Sequence, residues 1–264
     1  DDALEEPRPQ LSWAWDDLGY TTGALFGALN LAVNRTVATI TPGPSEGTPA
    51  TVSLDPRAIG RPIVNRVVTG ATGSVPLLWP EQRPGESPLT IAGSIPAGAK
   101  PTPLGISTGN PTLWFASVLR NRLLEEGILV AGDAVDVDDL SPPPDRAGAT
   151  LLFRYRSPTL AEIARPLLKE SNNLYGEAFM RLNAARDASL TNDSALEGLR
   201  KRLTAWGLPD GSYQLVDGSG LSRRDAISPE AVMTVLQRMS SASPFVDGLP
   251  IAGTDGSLAS RMKG

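Results

Sequence analysis

The chain contains no cysteine and no histidine. Together these absences exclude thiolate zinc sites, thiol redox chemistry, papain-like sites and a Ser-His-Asp triad within the chain. Covalent catalysis here needs an oxygen nucleophile and a base other than imidazole. Nor is there a basic excess. The 24 Lys and Arg face 29 Asp and Glu, the net charge is -5, and the two signs are interspersed, which argues against a nucleic-acid surface. No apolar run approaches the length of about 18 residues that a membrane-spanning helix needs. Asp1-Asp2-Ala3-Leu4-Glu5-Glu6 is unlike a signal peptide, so any export signal is expected to have been removed or to lie outside these residues. Zero cysteine fits a cytosolic and an exported protein equally well.

What is present is a loop-rich globular composition. The 264 residues are 41% hydrophobic, with 26 Gly and 24 Pro, a balance short of disordered chains. That length predicts more than one compact unit. Near the start, Trp13, Trp15 and Tyr20 crowd together, which predicts an aromatic plug packed between two units. From residue 31 to about 106 the pattern predicts a small β domain. Thr36–Ile40, Thr51–Leu54, Ile63–Val68 and Leu89–Gly93 are β-branched runs bounded by turn formers.

A helix follows, with Asn110 as its cap, Pro111 in its first turn, Leu113, Ala116, Leu119 and Leu123 on one face and Gly127 as its stop. Strand character resumes at Ile128–Val130 and Ala134–Val137, up to the linker candidate Ser141-Pro142-Pro143-Pro144. Past a strand at Leu151–Tyr155 the chain reads as helical. Thr159 and Glu162 form a capping box, and Leu174, Ala178 and Leu182 share a face. Leu196, Leu199, Leu203 and Trp206 repeat at helical spacing before Gly207. Ser228-Pro229-Glu230 opens a helix that buries Val232, Val235, Leu236 and Met239. With one strand among these helices, either a sheet comes from residues beyond this chain or the region is a helical subdomain.

Two stretches could carry chemistry. Ser171-Asn172-Asn173 lies between two helical segments, where a break can present a hydroxyl and an amide to a cleft as proton carrier and hydrogen-bond donor. With 22 Ser and 9 Asn a Ser-x-Asn triplet also arises by chance, and the Asn pair could simply cap the next helix. The second stretch is Asp217-Gly218-Ser219-Gly220-Leu221-Ser222-Arg223. Its glycines allow close backbone approach to a ligand and Arg223 could neutralise a carboxylate; the alternative is a tight turn with a solvated Arg. A similar turn, Gly253-Thr254-Asp255-Gly256-Ser257, follows near the end.

Taken in order, Trp13-x-Trp15-x-Asp17, Leu29-Asn30-Leu31, Ser171-Asn172-Asn173-Leu174-Tyr175-x-Glu177, Asp217–Arg223 and Leu249-Pro250-x-Ala252-Gly253-x-Asp255-Gly256-Ser257-Leu258 resemble the class C low-molecular-mass penicillin-binding proteins, the D-Ala-D-Ala carboxypeptidase and endopeptidase family. The resemblance implies an α+β multidomain fold, in which a penicillin-recognising serine transpeptidase-like domain of helical cluster and sheet carries nested insertions. Residues 31–103 then resemble the innermost β-rich insert, 1–30 and 104–148 the middle domain, and 149–264 the helical part of the catalytic domain.

Family chemistry uses Ser-x-x-Lys, whose Ser is acylated with Lys as base, then Ser-x-Asn, then Lys-Thr-Gly. Of the three, the middle motif is present. There is no Lys-Thr-Gly, and the one Ser-x-x-Lys, Ser260-Arg261-Met262-Lys263, lies on the wrong side of the inserted domains to be the nucleophile. The chain is therefore expected to be the interior of a longer protein and inactive alone. By resemblance Ser171 relays a proton between base and leaving amine, and Asn173 hydrogen-bonds the substrate's peptide. Asp17 meets the free amine of its diamino acid, and Gly220, Leu221 and Arg223 line that subsite. The expected activity is a serine-type D-Ala-D-Ala carboxypeptidase or endopeptidase, exported to the periplasm or cell-wall exterior. Its expected partners are peptidoglycan stem peptides and β-lactams, with peripheral membrane association and a homo-oligomer left open. No cofactor and no metal site is implied. The alternative is a non-catalytic protein that binds stem peptides or serves as a scaffold; a β-lactamase or esterase on a related fold would lack the inserted domains.

Overall fold

The computed structural model describes residues 9–10, 13–55, 61–83, 88–142, 144–145, 147–184 and 191–263. Leu11 and Ser12, ahead of the aromatic stretch, and Pro143 of the proline cluster lie outside them. The described residues divide into two compact units, one holding Pro9 and residues 13–142, the other Gln10 and residues 144–263.

The first unit is built on two small sheets. Strands β1 (Arg35–Thr41), β2 (Thr51–Asp55) and β6 (Thr102–Ser107) form an antiparallel sheet in the order β2-β1-β6. In the second sheet β5 (Leu89–Pro96) lies between β3 (Ile63–Gly70), to which it is parallel, and β4 (Leu77–Glu81), to which it is antiparallel. Alternation along each strand aims one set of side chains inward. Ala38, Ile40 and Ile106 from the first sheet meet Val67, Leu89, Ile91 and Ile95 from the second in one core. Helix α1 (Pro111–Glu125), capped by the Asn110 side chain, adds Trp114, whose indole N–H donates to Leu31 O at 3.1 Å. Gly93 has φ +120°, and a Cβ on it would fall 1.9 Å from Leu77 O, so β4 can lie this close only to a glycine.

The second unit is helical. It comprises α2 (Leu160–Glu170), α3 (Asn173–Arg181), α4 (Asn192–Ala205), α5 (Pro229–Met239) and the single turn α6 (Ser243–Val246). One two-residue ladder, β7 (Tyr213–Gln214) with β8 (Ala226–Ile227), accompanies them. Its apolar contacts form two small clusters. Met180, Ala184, Ala195 and Leu196 make the first, and Leu203, Leu208 and Ala231 the second, with Leu199, Trp206 and Val235 packed against the latter.

Several sequence expectations are corrected. Ile128–Val130 and Ala134–Val137 form no strand; Leu129 is 94% exposed and Val137–Asp139 is a single 3-10 turn. Leu151–Tyr155 is not a strand either. Phe153 is 79% exposed, and no described strand pairs with that segment, without which β-prone side chains make no ladder. Conversely β4 and β6 carry Pro80 and Pro103, residues that argue against a strand in sequence. Both strands are sheet edges, where a missing N–H costs no ladder bond. Within the first unit Trp15 and Tyr20 are exposed and Trp13 is half-buried.

The helix faces shift too. In α1 Pro111, Thr112 and Trp114 are buried while Leu119 is exposed; in α3 Leu174 is buried as expected, with Met180, while Leu182 just past its end is exposed; in α5 Ala231 is buried with Val235 packed beside it, and Val232 and Leu236 are exposed.

Candidate active site

Helix α2 begins as its sequence predicts. Glu162 N donates to Thr159 Oγ1 at 3.4 Å and the Glu162 carboxylate accepts from Thr159 N at 2.8 Å. It ends at Ser171, which adopts the left-handed conformation at φ 56° and ψ 52° and is exposed. Asn172 then caps α3, its Oδ1 accepting from Tyr175 N at 3.2 Å. The cap thus falls on the middle residue of the triplet, and Asn173 becomes the first residue of α3. A hydroxyl at the end of one helix and an amide at the start of the next flank a single break.

The break is tied down from the α2 side. Lys169 Nζ donates to Leu249 O at 2.5 Å and to Asp255 Oδ2 at 2.7 Å, and Asp255 Oδ1 accepts from Ile251 N at 2.7 Å. The hydrogen bond from Lys169, first among several contacts, holds the Asp255 carboxyl below the usual carboxylate range. Lys169 is therefore committed to the 249–255 turn, and nothing in its contacts makes it a base for Ser171.

From the other side comes the Asp217–Arg223 loop. Asp217, 3% exposed, organises it: Oδ1 accepts from Ser219 N at 3.1 Å and Gly220 N at 2.6 Å, and Oδ2 from Ser222 N at 2.8 Å. The buried Glu177 of α3 then joins loop to helix, its Oε1 accepting from Gly218 N at 2.9 Å and Ser219 N at 3.0 Å. Asp225 closes the hairpin, its Oδ1 accepting from Val216 N at 2.6 Å. Burial first, then the neighbouring Asp217 carboxylate, push the Asp225 carboxyl up to about 6.

Ser171, Asp217, Gly218, Ser219, Gly220 and Asp225 line a largely apolar cavity of about 970 Å³ in the second unit, with Asn183 and Arg202 also in its wall. Of the sequence-derived residues, the structure thus brings Ser171 and Gly220 to one cavity. Asn173 sits at the head of α3, Leu221 is half-buried next to Gly220, and Arg223 is exposed on the same loop. Asp17 belongs to the first unit, half-buried in the 3-10 turn Trp15–Asp17. Among the described residues no group of three His, Cys, Asp or Glu could hold a metal ion, and no helix is long and apolar enough to cross a membrane.

A profile of the D-Ala-D-Ala carboxypeptidase 3 (S13) family matches residues 1–264. The chain belongs to this family. Among curated relatives, the D-alanyl-D-alanine carboxypeptidase of Actinomadura sp. (strain R39) is 31% identical over 96% of this chain and 49% of its own length. The D-alanyl-D-alanine carboxypeptidase DacB of Haemophilus influenzae is 26% identical over 65% of this chain and 36% of its own. The chain spans about half the length or less of these relatives. The crystal structure of penicillin binding protein 4 (dacB) from Haemophilus influenzae superposes with a TM-score of 0.79 at 20% identity, covering 98% of this chain and 57% of that one. A second structure of that protein, complexed with a novel β-lactam, gives a TM-score of 0.69 at 20% identity over 89% of this chain and 53% of that one. The fold is thus the mixed helix-and-sheet fold of that penicillin-binding protein.

The sequence reading assigned no part in the site to Lys169, Glu177, Arg181 or Asp225. The Glu177–Arg181 pair was legible as an i, i+4 spacing of opposite charges. Lys169 acts across 80 to 86 residues and Asp225 across a hairpin of nine, and neither leaves a local signal.

Proposed function

We propose that this chain forms part of a serine-type D-Ala-D-Ala carboxypeptidase, with endopeptidase activity in its range, that acts on peptidoglycan stem peptides outside the cytoplasmic membrane and is acylated by penicillin. The observation that carries the reading is the break between α2 and α3. It exposes Ser171 in the wall of a cavity with Asn173 at the following helix start, in a chain matched by the S13 family throughout. Ser171 relays the proton to the leaving amine and Asn173 bonds the peptide backbone of the substrate. Gly220, Leu221 and Arg223 line the subsite for the diamino acid, whose ammonium meets Asp17. The acylated Ser, its Lys and the Lys-Thr-Gly strand belong to other parts of the full-length enzyme.

The nested organisation is proposed with it: 31–103 inserted into 1–30 and 104–148, and 149–264 belonging to the catalytic domain. The pairing of Arg35 with Ser107, which brings entry and exit of the β segment side by side, supports the insertion. So does Ser107, whose N donates to Gly19 O at 3.0 Å and whose hydroxyl donates to Leu18 O at 2.6 Å.

The test is release of D-alanine from a pentapeptide ending in D-Ala-D-Ala and bearing a free side-chain amine, incubated with the full-length protein. Stoichiometric release is expected. Binding of the peptide with no D-alanine released would contradict the reading and favour a binding protein.

A further inference from the structure

Glu177 is 1% exposed, and its two carboxylate oxygens have different partners. Oε1 takes the N–H groups of Gly218 and Ser219. Oε2 pairs with Arg181 Nη1 at 2.8 Å, one turn further along α3. The helix and loop backbones meet at the same place with no side chain between them. A Cβ on Gly176 would lie 2.6 Å from Gly218 O, and one on Gly218 would lie 2.5 Å from Gly176 O. Peptide N–H groups in so close a contact need acceptors: Glu177 Oε1 serves both, Ser219 N being shared with Asp217 Oδ1 at 3.1 Å while Gly218 N turns to Glu177.

Ser171 is anchored separately. Its backbone N–H donates to Leu167 O, and Lys169 fastens the α2 end to Leu249 and Asp255. None of these contacts passes through Glu177.

We propose that Glu177 is a positioning residue for peptide selection: it fixes the Gly218–Arg223 loop against α3, so that recognition of the stem peptide depends on it while the acyl chemistry at the Ser171 end does not. This rests on the reading of the protein as a D-Ala-D-Ala peptidase. A buried acceptor serving two N–H groups can be lost in two ways, and they give different results. Glu177→Leu removes the acceptor of Gly218 N and leaves Ser219 N with Asp217 alone. Glu177→Gln keeps an oxygen for Gly218 and Ser219 but turns its amide towards Arg181, a donor facing a donor; Arg181→Met added to it removes that conflict.

The experiment measures steady-state cleavage of the free-amine pentapeptide, benzylpenicillin acylation and amide hydrogen exchange on these variants of the full-length protein. For Glu177→Leu the expected result is KM raised by roughly tenfold or more, with kcat and acylation within about threefold of wild type. Glu177→Gln should be intermediate, and Glu177→Gln with Arg181→Met should return KM to the wild-type range. A parallel loss of kcat, KM and acylation would overturn the proposal, as would a double variant no better than Glu177→Leu. If Glu177→Leu does not fold, the comparison of the single and double Gln variants decides in the same way. If the wild type neither cleaves nor is acylated, the peptidase reading fails by itself and hydrogen exchange decides the rest. Faster exchange confined to residues 217–223 in the Glu177→Gln variant, slowed again by Arg181→Met, keeps the positioning role; unchanged exchange removes it.

Discussion

At the scale of single residues, Asp225 shows how burial sets a pH response. Its carboxyl is pushed up to about 6 in the folded chain, against about 4 for an ordinary aspartate, because the half-buried group is desolvated and faces Asp217. Between those values the folded state holds a proton that the unfolded state has released. The stability contributed by Asp225 therefore falls as pH rises from about 4 to 6, and stays at its reduced level above that. Asparagine cannot ionise, and its carbonyl still accepts from Val216 N. Asp225→Asn is accordingly expected to melt higher than wild type at pH 7.5 and no higher at pH 4, by thermal unfolding at both values. An equal offset at both pH values would contradict the assignment. This behaviour was not legible in sequence, because Asp217 and Asp225 meet only when the hairpin folds back. Ser171 and Asn173 were legible as a triplet, although which Asn caps the helix was settled by the backbone: Asn172 takes the cap and leaves Asn173 inside α3.

At the scale of elements, legibility followed locality. Helix starts at Asn110, Thr159 and Ser228 stand where the sequence puts them, because a cap is a contract between residues three positions apart. The strands β1, β2, β3 and β5 were marked by β-branched runs. Proline hid β4 and β6, and composition alone suggested a strand at Leu151–Tyr155 where no partner strand exists among the described residues. Faces of helices were the weakest inference: spacing shows that a stripe exists, but neighbours decide which stripe is buried, as Trp114 does in α1. Gly93 makes the non-local constraint measurable. Alanine there must accept both φ +120° and a carbonyl oxygen at 1.9 Å, so Gly93→Ala is expected to destabilise the protein by about 3 kcal/mol or more in denaturant titration. A cost below about 1 kcal/mol would mean that β4 and β5 separate easily.

For the whole molecule, the α+β architecture and the family were visible in sequence through motifs spread from end to end, and neither depended on any single one. What sequence could not show was how the Ser171 break and the Gly218–Arg223 loop are held, the one by Lys169 and the other by Glu177, since those contacts join residues 41 to 86 positions apart. The proposed enzyme makes a prediction that separates its substrate-side and acylation-side residues. Asp17→Ala should weaken cleavage of free-amine stem peptides by about tenfold while leaving penicillin acylation near wild type, as loss of one charge-assisted contact to the peptide would. Equal loss in both assays would contradict a role on the peptide side. The most direct measurement is the rate at which benzylpenicillin acylates the full-length protein, followed by intact mass, for wild type, Ser171→Ala and Asn173→Ala. The account predicts a rise of one antibiotic equivalent in the wild type and acylation slowed about 100-fold or more in both variants; acylation of both variants at the wild-type rate would contradict it.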